Sequence, residues 1–142
     1  MIEPLRRAQA ILPFLLLVTA CGNAEIVVPE PLWVIDTFPS QGALIPAGDV
    51  PVVVTFSAAV DEETLADAVL LEHISDSGAP IDVVPTALGE YLEESHTASF
   101  QAPSLPADTA YSLTIRADAV KALDGATLLA DVVRRFKTDT DP

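Results

Sequence analysis

Val50-Pro-Val-Val-Val-Thr-Phe-Ser-Ala-Ala-Val-Asp61 is the stretch whose reading decides the fold. Val52, Val54 and Phe56 share one parity, and Pro51, Val53 and Thr55 share the other. That is the period of two of a β-strand with one fully apolar face. β-Branched residues dominate the stretch, and their stiff side chains suit a pleated, half-buried surface. Pro51 falls at the first strand position, where a missing N–H does least harm to the ladder. Asp61 then follows, placed to cap a short helical turn over 62–65 through its carboxylate. A core strand of a small sandwich is the expectation.

The same alternation recurs outward from this strand. Tyr111, Leu113 and Ile115 share one parity and are expected to point inward, with Ser112, Thr114 and Arg116 pointing outward. Ala98, Phe100 and Ala102 form a weaker stripe of the same kind. Further strands are expected over 32–38, 69–74, 81–84 and 132–138, with turns at 39–42, 46–49 and 75–80 where Pro, Gly, Ser and Asp gather. Residues 87–95 are read as a helical excursion or an acidic loop. Trp33, the single tryptophan, is read as covering the edge of the core. Short strands at regular spacing indicate an all-β, antiparallel sandwich of about seven strands.

At the N-terminus a different composition takes over. Glu3, Arg6 and Arg7 precede an apolar run over 8–20 that is too short to span a bilayer, as in a secretory leader. Val18-Thr-Ala-Cys21 follows and resembles the lipobox of bacterial lipoproteins, which implies acylation of Cys21. The expected organisation is a lipoprotein signal peptide over 1–20, a tether over 21–31, one domain over 32–138 and a tail over 139–142. Pro29 and Pro31 favour an extended tether. Gly22, in place of an acidic residue, points to the outer membrane of a diderm host rather than retention at the inner one.

Cys21 is the only cysteine, so no intrachain disulfide can form and the fold rests on its apolar core. Removing Glu3, Arg6 and Arg7 from 21 acidic and 7 basic residues leaves 20 and 5, a net charge of −15. A field of that sign excludes nucleic acid as a partner and disfavours anionic lipid surfaces.

Three pieces in this order resemble the bacterial Ig-like domains of S-layer and other cell-envelope proteins. They are Val52-Val-Val-Thr-Phe-Ser-Ala-Ala-Val-Asp61, Leu105-Pro-Ala-Asp-Thr-Ala-Tyr-Ser-Leu-Thr-Ile115, and Phe136-Lys-Thr138 preceded by Asp124-Gly125. Phe38-Pro-Ser-Gln-Gly42 also fits. The resemblance implies an Ig-like sandwich with Phe56, Tyr111 and Phe136 as structural residues. In such folds a tyrosine at the Tyr111 position returns its hydroxyl to upstream backbone. Arg134 departs from the pattern: it has the inward parity of Phe136, so a bulge near Val133 is expected.

Chemistry-bearing groups are sparse. His73 and His96 read as ordinary edge or surface histidines, and no phosphate loop, nucleophile elbow or H-E-x-x-H motif occurs. Asp61, Glu62, Glu63 and Asp124 are hard oxygen donors without calcium-loop spacing. The expectation is therefore no catalysis, no cofactor and no metal. The function expected is that of a lipid-anchored envelope module with a structural or a protein- or glycan-binding role. Partners are then the membrane, through Cys21, and an envelope protein or polysaccharide. The alternatives are a copper-type periplasmic carrier, whose sandwich and Val-Thr-Phe-Ser phrase are similar, and an accessory module of an envelope enzyme complex.

Overall fold

The computed structural model describes residues 22, 26, 28 and 30–140. Cys21 and the expected signal peptide over 1–20 lie outside the described residues. Among the described residues nine strands form two sheets packed face to face. The first sheet has the order β1 (Val34–Phe38), β3 (Pro51–Phe56), β7 (Thr97–Gln101), β6 (Ala87–Leu92). The second has the order β2 (Leu44–Ile45), β9 (Val132–Thr138), β8 (Ala110–Ile115), β4 (Val69–Ile74), β5 (Pro80–Val84). All pairings are antiparallel except β2 with β9. Among the described residues no helix is long and apolar enough to cross a membrane.

The two stripes read from the sequence meet in the core. Val52, Val54 and Phe56 of β3 and Tyr111, Leu113 and Ile115 of β8 are all at most 1% exposed. Ala98 and Phe100 of β7 and Leu71 of β4 close the same interior. Asp61 caps a 3-10 turn over Glu62–Thr64, its carboxylate accepting from the Glu63 N–H at 3.1 Å.

Four expectations are corrected. Residues 87–95 hold strand β6 and a 3-10 turn, not a helix or a loop. The bulge in β6 falls between Leu88 and Glu90, at Gly89, where an added Cβ would meet the Ser99 carbonyl at 3.3 Å. No bulge occurs near Val133: β8 and β9 stay in register from Ala110 with Lys137 to Ile115 with Val132. β2 pairs only with Lys137 and Thr138, so β9 is an open sheet edge at Arg134, and this half-buried side chain can reach water over that edge. Trp33 is 54% exposed and does not cover the core; Leu32, 1% exposed and bridged to Leu128, takes that place. Ser112 does lie on the outer face but is buried, because Glu72 and Arg135 flank it on the neighbouring strands.

The upstream-backbone bond expected of Tyr111 is made by the other tyrosine. The Val60 N–H donates to the Tyr91 hydroxyl at 2.8 Å, tying β6 to the loop after β3. Val60 is 1% exposed, so Tyr91→Phe strands a buried N–H and is expected to cost roughly 1–2 kcal/mol. A denaturant midpoint equal to the parent's would show that water replaces the hydroxyl there.

Loops gather at two poles. At one, the incoming chain meets 57–68 and 116–131: the Leu32 N–H donates to the Thr127 carbonyl, Ser57 to Trp33 and Asp61 to Lys121. At the other, 39–50, 75–79 and 102–109 meet the end of β9: Gly42 donates to Arg135, Gly48 to Leu105 and Asp139 to Ile45.

Candidate functional site

Of the concave surfaces at the pole away from the incoming chain, two carry charged and aromatic side chains. The first is a groove of about 340 Å³ on the outer face of the five-stranded sheet. Its floor includes Ile74 and Ala110, its walls are the turns at 41–43 and 75–78, and Arg135 and Lys137 project from β9. Gly78 has φ +85°, which favours glycine, and a Cβ there would lie 2.9 Å from the Arg135 guanidinium and push that flexible group aside. The Arg135 N–H donates to Gln41 Oε1 at 2.9 Å, and the Arg135 carbonyl accepts from Gly42 at 2.7 Å. Ser75 and Ser77 share a hydroxyl contact at 2.8 Å. The Lys137 ammonium pairs with Asp108 at 2.7 Å, which holds its pKa above the ordinary lysine value.

The second is a cleft of about 290 Å³ at the β5 edge, lined by His73, Asp82, Thr109, Tyr111 and the prolines at 85, 103 and 106. The register lines up Asp82, His73, Tyr111 and Phe136 across β5, β4, β8 and β9. The Tyr111 ring stacks on Phe136 with centroids 5.3 Å apart and meets His73 at 6.0 Å. Burial pushes the Tyr111 phenol up from its ordinary pKa, opposed by a smaller lowering from the Thr109 side chain. One buried hydroxyl holds the proline-rich wall in place. Thr138 Oγ1 accepts from the Thr109 N–H at 3.0 Å and lies 2.7 Å from the Pro106 carbonyl, to which it donates.

The structural residues named from sequence are thus distributed. Phe56 packs in the core away from both concavities, whereas Tyr111 and Phe136 form the inner side of the cleft and groove respectively. The hard acids do not converge: Asp61 caps its turn, and the Asp124 carboxylate accepts from the Ala126 N–H at 2.9 Å. Among the described residues no group of three or more His, Cys, Asp or Glu is placed to hold a metal ion. His96 lies apart from His73, in left-handed backbone with φ 53° at the end of a 3-10 turn. Sequence reading missed Gln41, Gly78, Arg135 and Thr138. The one available signal was that Arg134, Arg135 and Lys137 place three of the described residues' five lysines and arginines in one strand.

The family model for the bacterial Ig-like domain matches residues 29–138. The chain belongs to that family. No curated protein matches this Ig-like domain. Among solved structures it is similar to CopC from Methylosinus trichosporium OB3b, with 18% identity over 76% of this chain and 93% of that one, at a TM-score of 0.55. It is also similar to the S-layer protein SbsC, with 15% identity over 79% of this chain and 14% of that one, at a TM-score of 0.54. A third likeness is to the native conformation of E. coli alpha-2-macroglobulin, with 24% identity over 80% of this chain and 6% of that one, at a TM-score of 0.52. At these identities the likeness concerns the fold. The Ig-like domain corresponds to nearly all of CopC and to a small part of the other two.

Proposed function

We propose that this chain is a lipid-anchored cell-envelope module, without catalytic activity, that holds a binding surface away from the membrane. The observation that carries the reading is the polarity of the sandwich. The tether arrives at the pole built from 57–68 and 116–131, while the groove at Arg135 and the cleft at His73 open at the opposite pole. An anchor at Cys21 then directs both concavities outward, and an extended tether of about ten residues gives a reach of roughly 30 Å. The bacterial Ig-like family and the likeness to an S-layer protein support an envelope address. Two acyl chains give stable membrane binding, whereas a single chain is marginal. Cys21→Ser is therefore expected to move the protein from the membrane to the soluble fraction. Full retention of that variant with membranes would overturn the anchor.

A second reading, a metal carrier, is favoured by the coverage of CopC and by His73 standing directly opposite Asp82 across β4 and β5. Two ligands are too few for a tight transition-metal site. The expected result is an unchanged thermal unfolding midpoint with and without chelator. A shift of many degrees, restored by copper or calcium, would reverse the preference between the two readings.

A further inference from the structure

We infer that the groove at Arg135 binds a sugar acid, with the guanidinium taking the sugar's carboxylate; this deepens the glycan-binding part of the reading above. The starting point is an unpaired cation in a strongly acidic protein. Arg116 pairs with Asp118 and Lys137 with Asp108, but no described carboxylate lies within ion-pair distance of the exposed Arg135 guanidinium. On the sheet face Glu72 stands two strands away, beyond Ser112. Asp76, in the turn beside the groove, acts on Lys137.

Arg135 is also positioned. Its guanidinium lies against Gly78 where a Cβ would stand, and its backbone is gripped by Gln41 and Gly42 on the other side. A planar fork whose backbone is anchored, which rests beside the Gly78 turn and has no carboxylate partner among the described residues, is suited to bidentate recognition of a carboxylate from outside.

The surroundings narrow the class. A net charge of −15 repels polyanions, so the ligand carries an isolated negative charge on a neutral frame. Ser77, Asp76 and the Gln41 amide nitrogen, which makes no hydrogen bond within the described residues, are groups that recognise hydroxyls. The floor at Ala43, Ile74 and Ala110 is shallow and open, with no deep apolar pocket for a peptide side chain. These features favour a single sugar acid within an otherwise neutral glycan over a peptide C-terminus.

The test uses the full chain in detergent, titrated with an aldobiouronic acid, with its carboxyl-reduced neutral counterpart, and with an N-acetylated tripeptide bearing a free C-terminal carboxylate. Binding is followed through the amide resonances of Gln41, Ser77 and Gly78. The expected result is saturable binding of the acid sugar alone, weakened by salt. Arg135→Gln is expected to weaken it about tenfold or more, and Arg135→Lys less, with unchanged unfolding midpoints. Tripeptide binding as tight as that of the acid sugar would overturn the ligand class. Binding of no probe, or binding insensitive to Arg135→Gln, would overturn the site. Either failure leaves the membrane partition of the Cys21→Ser pair untouched, so the anchor and the groove are judged separately.

Discussion

Tyr111→Ala is expected to destabilise the domain by about 3–5 kcal/mol, the range for truncating a core aromatic. The ring is 1% exposed, stacks on Phe136 at 5.3 Å and occupies the inner side of β8 between β4 and β9. With no disulfide available and a typical margin of ~5–15 kcal/mol, such a loss leaves little folded protein near physiological temperature. Tyr111→Phe is expected to cost about 1 kcal/mol or less, because the hydroxyl faces the cleft and bonds to no buried backbone group among the described residues. The pair of variants separates ring from hydroxyl in one denaturant series; equal midpoints for the alanine variant and the parent would show that the ring is not packed. The same phenol links stability to alkaline pH. Its pKa is raised in the folded state, so its contribution is intact below the unfolded value near 10 and is lost as pH rises through the higher folded value. Tyr111→Phe is therefore expected to flatten the fall in stability above that pH.

Thr138→Val has the second largest expected effect, roughly 1–3 kcal/mol. The side chain is fully buried, and valine keeps its shape while removing the hydroxyl. Without Oγ1, the half-buried Thr109 N–H and the carbonyl of the exposed Pro106 lose their partner; a buried polar group left unpaired costs about 1–3 kcal/mol, and less where water reaches it. The loss falls locally on the 102–109 loop, which forms one wall of the cleft. Amide exchange at Thr109 should accelerate well beyond that of the β8 interior. Uniform acceleration across the sheet would instead mean that the hydroxyl serves global stability and not the loop.

Much of the fold was legible because a strand with one buried face writes its own period into the chain. Val52, Val54 and Phe56, and Tyr111, Leu113 and Ile115, alternate strictly since each stripe faces the opposite sheet. β6 was not legible: at a sheet edge, interrupted by a bulge at Gly89, Ala87–Leu92 has little buried surface to impose alternation. β2 is two residues long and exists only because β9 lies beside it. Arg134 misled for a related reason, since parity says which face a residue takes but not whether that face is covered.

The sequence by itself determined the sandwich class, the inward stripes, the capped turn at Asp61, the acidic field and the absence of a disulfide. All of these follow from local periodicity, composition or spacing. Tertiary structure alone decided which tyrosine bonds to backbone, that Leu32 rather than Trp33 closes the core, and that Gln41, Gly78 and Arg135 stand together. Those are contacts between segments as much as 96 residues apart, from Leu32 to Leu128. They depend on sheet order and register, and pairing partners leave no trace in the period of either strand alone.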